Sequence, residues 1–181
     1  MWWIPLIIVI VLVLYIISVY NGLISLRNKV DDQLSQIDVE LKRRFDLVPN
    51  LVETVKGYTK HEKETLEGVV KARNSYVSAD NLEGQLEADG ELTKAISKLF
   101  ALAESYPDLK ANENFMDLQN ELSEIEQKIV YARQFYNDSV LKLNNKIEMF
   151  PSNIVAGMFN FKKRKFFEAA ASERENVKVQ F

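Results

Sequence analysis

The first feature of the pattern is an unbroken apolar run at the start of the chain. No charged side chain occurs from Trp2 to Tyr20, and no later stretch is comparably apolar. A helix needs about 20 apolar residues to cross the hydrocarbon core of a bilayer. The run therefore predicts a transmembrane anchor over residues 1–20. Its membrane-spanning side chains are Ile4, Leu6, Ile7, Ile8, Val9, Ile10, Val11, Leu12, Val13, Leu14, Ile16 and Ile17.

A cleaved signal peptide and a buried helix of a soluble protein are the two other interpretations of this run. A signal peptide carries basic residues ahead of a shorter apolar stretch and ends in a small-x-small cleavage site. Here no Lys or Arg precedes the run, no such site follows it, and there is no cysteine for lipoprotein processing. Trp2, Trp3 and Tyr20 flank the run as aromatic residues do at bilayer interfaces. A retained anchor is therefore favoured.

Beyond the anchor, apolar residues recur every three or four positions, which is the period of an α-helix. Pro49 removes one helical hydrogen bond, so it should either kink this helix or divide it in two. A kink is favoured because the stripe keeps its phase across Pro49. The pattern predicts one nearly continuous helix from Leu6 to Ala79, with no flexible linker at 20–26. The stripe comprises Leu23, Leu26, Val30, Leu34, Ile37, Leu41, Phe45, Val48, Val52 and Val55, and continues less regularly through Leu66, Val69 and Tyr76.

Turn-forming residues between positions 80 and 90 are predicted to end this helix, and two further helices follow. The first is short, over 91–105, and the second is long, over 112–149. Phe150–Ser152 should end the long helix and open a final short one. Each helix is polar on one side, which predicts an all-α fold. We expect an antiparallel up-and-down bundle of two long and two short helices over 21–171, then a tail over 172–181. The inward positions are Leu92, Ile96, Leu99 and Ala103 in the short helix, and Phe115, Leu118, Leu122, Ile125, Ile129, Ala132, Tyr136, Val140, Leu143 and Ile147 in the long one.

Charge indicates which side of the membrane the bundle occupies. Arg27 and Lys29 follow the apolar run closely and residues 42–44 are also basic, whereas only the α-amino group precedes it. Lys and Arg mark the cytoplasmic side of a span, so this favours an outside N-terminus and a cytoplasmic body. The net charge of −3 gives no bulk attraction to nucleic acid. The lack of cysteine is compatible with any compartment.

Several stretches of the chain resemble the signature of the LemA family. They are Tyr20-Asn21, Leu26–Asn28, Ser35–Tyr58, Tyr106–Asn112, Ala132-Arg133, Tyr136-Asn137 and Phe150–Asn153. They follow in order over nearly the whole chain, so the resemblance is highly specific. One departure is Gln33-Leu34, where the family often carries Ala-Trp. The resemblance implies a bacterial single-span membrane protein with an up-and-down helical bundle, a relation to a magnetosome-membrane protein, and no established enzymatic activity.

Residues suited to catalysis or metal binding are scarce in this sequence. The single histidine, His61, is followed four residues later by threonine, so it forms no His-Glu-x-x-His zinc motif. Phosphate-binding, nucleophile-elbow and calcium-loop motifs do not occur either. Glu121, Glu124 and Glu126 lie beside stripe positions, which indicates the polar face of a helix rather than a paired-carboxylate site. We therefore predict no catalytic residue, no metal and no cofactor.

A set of polar residues surrounds Pro49 and the helix expected to pack against it. Polar groups inside a bundle can fix the register of helices and their choice of partner. The alternative is a set of ordinary surface pairs, each contributing well under about 1 kcal/mol. The set comprises Arg44, Asp46, Asn50, Glu53 and Lys56, with Arg133 and Asn137 on the second long helix.

The stretch 159–167 combines four consecutive basic residues with flanking phenylalanines. Each basic residue near an anionic leaflet contributes about 1 kcal/mol to membrane binding, and the aromatic rings can enter the headgroup region. An up-and-down bundle would also bring its fourth helix back toward the bilayer. The alternatives are rings packed on the bundle with solvated charges, or a protein or nucleic-acid partner. The candidate lipid or partner surface is Lys162, Lys163, Arg164, Lys165, Phe166 and Phe167.

Taken together, these patterns predict a non-enzymatic, membrane-anchored helical scaffold or adaptor at the bacterial inner or plasma membrane. Its expected partners are the lipid bilayer and either a second copy of the chain or another membrane protein, without nucleic acid or a small-molecule substrate. Envelope stress and membrane organisation are the processes it would serve. The alternative is a signalling or binding module that acts through the bundle. A metal-dependent hydrolase is a remote alternative, because so few ligand residues are present.

Overall fold

The computed structural model describes residues 2–59, 62–79 and 82–167. Within these ranges the chain forms six α-helices and no β-strand. The predicted all-α bundle is confirmed, with six helices in the described ranges where four were predicted. His61, the predicted tail at 172–181 and the predicted end of the bundle lie outside the described residues. The helices are α1 (Trp3–Lys56), α2 (Lys63–Val77), α3 (Leu82–Ala103), α4 (Pro107–Lys110), α5 (Glu113–Glu148) and α6 (Ser152–Met158).

Helix α1 carries both the apolar run and the first stripe of the soluble part. It is 54 residues long and contains Pro49 without a break, so the alternative of two helices divided there is wrong. It also passes through 20–26 without interruption, which confirms that no flexible linker follows the apolar run. All ten positions of the regular stripe are buried or half-buried. The side chains from Trp2 to Tyr15 are exposed, as expected of a helix that faces lipid.

The prediction that this helix continues to Ala79 is wrong, because α1 ends at Lys56. Gly57 follows immediately, and glycine costs about 1 kcal/mol relative to alanine inside a helix. The amides of Tyr58 and Thr59 both donate to the carbonyl of Val55, at 3.0 and 3.1 Å. The Thr59 hydroxyl, which is buried, donates to the same carbonyl at 3.0 Å. These bonds satisfy the last turn and stop the helix.

Helix α2 turns back alongside α1 rather than extending it. The rings of Phe45 on α1 and Tyr76 on α2 lie 5.7 Å apart between centroids, although the two residues are 31 positions apart in sequence. The irregular part of the predicted stripe is therefore a separate helix with its own apolar face. Val69 and Ala72 are the buried residues of that face.

Helix α3 begins at Leu82, so the predicted turn at 80–90 is wrong over most of its length. Gly84 and Gly90 both lie within the helix, at a cost of about 1 kcal/mol each. The α3 helix packs against α2 and buries Ala88 and Asp89. Burial of these positions offsets the low helix propensity, because tertiary packing commonly overrides propensity.

The second long helix and the final short helix are confirmed, with α5 and α6 close to the predicted bounds. Asn112 caps α5, since its Oδ1 accepts a hydrogen bond from the amide of Phe115 at 2.9 Å. The Ser152 hydroxyl donates to the carbonyls of Lys146 and Met149, at 2.7 and 2.9 Å, and so closes the C-terminal end of α5. All ten predicted stripe positions of α5 are buried or half-buried.

The chain divides into two compact units, and α1 and α5 contribute to both. Unit 1 consists of the described residues within Met1–Ile37 and Val130–Glu168, and its buried side chains include Leu23, Val140 and Leu143. The described residues of unit 2 lie within Asp38–Ile129. Unit 2 has a core cluster built from α1 to α5, in which the fully buried members are Val48, Leu51, Val55, Val69, Leu99 and Leu109.

Candidate functional site: a buried ion pair and an extended segment

A buried ion pair joins α1 and α3 inside unit 2. The Arg44 Nη1 atom lies 2.9 Å from the Asp89 Oδ1 atom, and both residues are only 3% exposed. The same Nη1 atom lies 2.9 Å from Oε2 of Glu126 on α5, whose side chain is 40% exposed. Withdrawing a charge from water costs several kcal/mol per ion unless a partner compensates it. The pair therefore fixes α1, α3 and α5 in one register.

Aromatic and charged side chains extend this site toward α2. The Arg73 guanidinium lies 4.1 Å above the ring of Phe45, a cation–π contact, and Phe45 in turn contacts Tyr76. Burial raises the pKa of the Asp38 carboxyl above its usual value. Burial, and then the negative charges of Asp38 and Asp89, raise the pKa of the Tyr76 hydroxyl. These contacts join α1, α2 and α3 within unit 2.

The other α1 residues of the predicted polar set lie on the surface. Asp46 is exposed and pairs with Lys42 one helical turn away, at 2.9 Å. Glu53 is exposed and pairs with Lys56 at 3.3 Å. Asn50 is exposed, and its backbone carbonyl accepts a hydrogen bond from the Thr54 hydroxyl at 2.8 Å. Of the five α1 residues in the predicted polar set, Arg44 alone is buried.

Arg133 and Asn137 belong to unit 1, so the predicted polar set is divided between the two units. Both are half-buried.

The three glutamates predicted on the polar face of α5 have different partners. Glu121 pairs with Arg43 at 2.9 Å, Glu124 pairs with Lys128 at 2.7 Å, and Glu126 reaches the buried ion pair. The hydrogen bond from Lys128 lowers the pKa of Glu124.

An open groove of about 860 Å³ lies in unit 2, between the end of α1 and the face of α2. Apolar side chains form its floor and lysines and glutamates its rim. Among residues 2–59, 62–79 and 82–167, no three His, Cys, Asp or Glu side chains converge as a metal site would require. The groove is lined by Val52, Glu53, Lys56, Thr59, Lys63, Leu66, Glu67, Val70, Lys71, Asn74, Ser75 and Ser78.

In unit 1 the chain leaves α6 through a turn centred on Asn160. Asn160 has a φ of 56°, a left-handed conformation that asparagine tolerates better than most residues. The amides of Asn160 and Phe161 donate to the carbonyls of Gly157 and Ala156, at 3.2 and 2.9 Å. This is the Schellman pattern of a helix C-terminus. It directs residues 161–167, here called the extended segment, back along α5.

Two asparagines on α5 bind the backbone of the extended segment. Asn144 Oδ1 accepts from the amide of Arg164 and its Nδ2 donates to the same residue's carbonyl, both at 2.9 Å. Asn137 makes the equivalent two hydrogen bonds with the backbone amide and carbonyl of Phe167, at 2.8 and 2.9 Å. The spacings match, because seven helical residues and three extended residues each cover about 10 Å. Each side chain thus acts as a short piece of β-ladder.

The extended segment holds most of the predicted lipid or partner surface. Arg164 pairs with Asp31 of α1 at 2.9 Å, and Lys163 pairs with Glu148. Lys162, Lys165 and Phe166 are exposed. Phe167 is only 8% exposed and its ring lies 4.5 Å from that of Tyr136. The prediction that Phe167 enters the headgroup region is therefore wrong, because this ring is used in packing.

Asp89, Asn144 and Glu126 are among the residues of these sites that sequence reasoning did not select. Asp89 was interpreted as part of a turn, and Glu126 as part of a solvated face. The interval of seven residues between Asn137 and Asn144 places both on one face of α5. That interval was the available signal, but it becomes meaningful only once an extended chain is known to lie beside the helix.

The fold and sites describe a membrane-associated helical bundle without a recognised catalytic centre in its described residues. In that part of the chain α1 is the one helix long and apolar enough to cross a membrane. A sequence model of the LemA family matches residues 33–181, which is most of the chain. The chain belongs to the LemA family, as the resemblance of its motifs indicated.

Similar proteins extend this assignment. Protein LemA of Metamycoplasma hominis is 27% identical over 158 residues, which cover 87% of this chain and 72% of that protein. Magnetosome protein MamQ 2 of Paramagnetospirillum magneticum is 23% identical, and magnetosome protein MamQ of Magnetospirillum gryphiswaldense is 22% identical. Each of these two alignments covers 82% of this chain and 64% of the relative, so the chain spans less than two thirds of the magnetosome proteins.

Proposed function

We propose that this chain is a non-enzymatic scaffold anchored in the bacterial inner or plasma membrane, where it organises copies of itself or other membrane proteins. The observation that carries the proposal is helix α1, in which the apolar run and the core of unit 1 form one continuous element. Relatives named as magnetosome proteins favour a role in membrane organisation over one in catalysis.

The anchor and unit 1 share residues, which supports a retained anchor. Val19 is 5% exposed and Leu23 is fully buried, although both lie within or directly after the apolar run. Cleavage near Tyr20 would remove Val19 from the core of unit 1. A continuous helix also transmits orientation, so unit 1 is held at a fixed height above the bilayer. A scaffold benefits from such a connection because its binding faces then meet partners at a constant level.

The body is expected to lie in the cytoplasm. Arg27 and Lys29 follow the apolar run, and positive charge marks the cytoplasmic side. A reporter enzyme that works only outside the cytoplasmic membrane, fused after Phe181, should be inactive, whereas a reporter that works only inside should be active. The opposite pair of activities would invert the orientation.

Two exposed aromatic residues on α5 of unit 1 form the best candidate for self-association. Tyr131 and Phe135 are four positions apart and each is 59% exposed. Residues at this spacing share a helix face, and exposed aromatic residues are enriched at protein interfaces. Because unit 1 is joined to the anchor, copies in one bilayer present this face at the same height. Identical faces at the same height suit a two-fold symmetric contact.

Photo-crosslinking in intact membranes tests this proposal. A photoreactive phenylalanine analogue in place of Tyr131 or Phe135 should give an adduct with the mass of a dimer. The matched control is the same analogue in place of Asn28, an exposed polar residue of α1 in the same unit, which should give none. An adduct with a different membrane protein would replace self-association by recruitment. No adduct from either position would contradict a binding role for this face.

The groove in unit 2 favours the alternative, a binding module. Its apolar floor and mixed-charge rim resemble the surfaces that accept an amphipathic helix of another protein. The same photoreactive analogue in place of Val70, which is exposed in the groove, distinguishes the two functions. A discrete adduct from Val70 in the absence of any from Tyr131 and Phe135 would favour the binding module over the scaffold.

A further inference from the structure

Unit 1 exposes an unusual group of large apolar side chains at the junction of α5 and α6. Phe150 is 79% exposed, and the other members are between 49% and 66% exposed. Ile154 and Met158 are four positions apart and therefore share one face of α6, while Val155 and Ala156 are buried on the other face. The group, called here the α6 apolar surface, consists of Met149, Phe150, Ile154, Met158 and Phe159.

The α6 apolar surface lies beside the end of the membrane anchor. The ring of Phe159 is 4.6 Å from the ring of Tyr20, the last residue of the uncharged run. Phe161 lies 5.9 Å from the same ring, and its ring is 5.8 Å from the Arg27 guanidinium. Tyrosine at this place marks the interface between hydrocarbon and headgroups. Phe159 is therefore at the level of the interface.

The extended segment gives the direction of the chain relative to the anchor. From Phe159 beside Tyr20 it proceeds to Arg164 beside Asp31, which lies eleven residues further along α1, or about 16 Å from Tyr20. Asn144 binds Arg164, so this part of α5 is also level with Asp31. Helix α5 then continues through Glu148, which pairs with Lys163, toward the level of Tyr20. The α5–α6 junction is thus the end of unit 1 that faces the bilayer.

We propose that the α6 apolar surface is inserted into the headgroup region of the same bilayer that holds the anchor, as a second membrane contact of this chain. The bilayer is the occupant favoured by continuity, because the surface adjoins the anchor through Tyr20 and Phe159. Apolar side chains with neighbouring basic residues are typical of helices that lie in the membrane interface. Lys162 lies three residues after Phe159 and is exposed, so it can meet an anionic headgroup. Beyond it, Lys163 and Arg164 are already paired, with Glu148 and Asp31.

The chain contains no cysteine, so single cysteines can report on depth without a background. Ile154→Cys and Met158→Cys variants of the full chain, labelled with an environment-sensitive fluorophore, would be reconstituted sparsely in vesicles of phosphatidylcholine and phosphatidylglycerol. Iodide in the water should quench the label several-fold less than it quenches a water-exposed label, whereas brominated lipid should quench it. Val13→Cys, within the span, is the reference for a membrane-embedded label.

Ser35→Cys is the matched control, because Ser35 is also exposed on the α1 part of unit 1 but lies about 22 Å beyond Tyr20. It should be quenched by iodide and not by brominated lipid. Quenching by iodide at 154 and 158 equal to that at 35 would overturn the inference. Protection from iodide without quenching by brominated lipid would overturn it too, since protein would then cover the surface. The inference requires the proposed anchor but not self-association; if the label at 13 is not embedded, it is the anchor that fails.

Discussion

Replacement of Arg44 by methionine is expected to lower the free energy of unfolding by about 3–5 kcal/mol, because it removes the buried positive charge that lies 2.9 Å from the buried Asp89 carboxylate. Asp89→Asn should cost less, since Glu126 remains 2.9 Å from the Arg44 guanidinium and retains part of the compensation. Denaturant unfolding of the full chain in detergent micelles, followed by circular dichroism at 222 nm, measures both. The order of the two losses in free energy of unfolding is as informative as their size.

Two further variants separate this interpretation from simple loss of packing. Lys42→Ala removes a partner from an ion pair of the same length, 2.9 Å, but the Lys42 side chain is 74% exposed, so the cost should be below about 1 kcal/mol. Arg44→Met combined with Asp89→Leu should recover much of the stability, because both charges of the buried pair are then absent. If Arg44→Met costs no more than Lys42→Ala, the buried ion pair does not hold the helices together.

Helical periodicity predicted the long elements well because burial follows it directly. In both α1 and α5, every position of the regular stripe is buried or half-buried. A stripe of ten apolar residues leaves few alternative faces for packing. The end of α1 was not predictable in this way. The stripe resumes in α2 with nearly the same phase. The bonds from Thr59 to Val55 and the contacts of Phe45 with Tyr76 and Arg73 show that the chain has turned back.

Local composition predicted a turn at 80–90 wrongly, because contacts distant in sequence decide the structure there. Gly84, Asp89 and Gly90 are turn-forming residues, and a turn is what they favour in isolation. In the fold, Asp89 is drawn into an ion pair with Arg44, 45 positions earlier in the chain, and the surrounding helix packs against α2. Such a pairing depends on the arrangement of three helices. The sequence could indicate that Arg44 belongs to a polar set, but not which carboxylate it meets.

In the basic-aromatic stretch 159–167, composition indicated a kind of interaction but not which residue makes it. Its composition indicated an interaction with lipid, and the structure divides the stretch into parts with different roles. Phe159 contacts Tyr20 at the end of the anchor, whereas Phe167 packs on Tyr136. In the sequence, Phe150 indicated only a helix end and part of the family signature, and the other apolar residues at the end of α5 and in α6 were not selected. Their exposure indicates a membrane contact only once Tyr20, at the end of the anchor, is known to lie beside Phe159.

Replacement of both Asn137 and Asn144 by alanine is expected to release the extended segment from α5. Four hydrogen bonds between these side chains and the backbone of Arg164 and Phe167 are lost. Each contributes about 1 kcal/mol net, and water can replace part of that for a half-exposed segment. A net loss of about 3 kcal/mol would raise the open population roughly a hundredfold. The segment carries its own reporter, because its four consecutive basic residues are trypsin sites.

Limited trypsin digestion of the full chain in micelles, followed by mass spectrometry, measures cleavage within residues 162–165 against cleavage elsewhere in the chain. The matched control is Asn145→Ala, which removes an exposed asparagine one position away and should leave the cleavage rate unchanged. Each single variant should give an intermediate rate, since one asparagine still binds half of the segment. Equal cleavage of the double variant and the unaltered chain would mean that Tyr136, Asp31 and Glu148 hold the segment through their contacts with Lys165, Arg164 and Lys163, and that the two asparagines are dispensable.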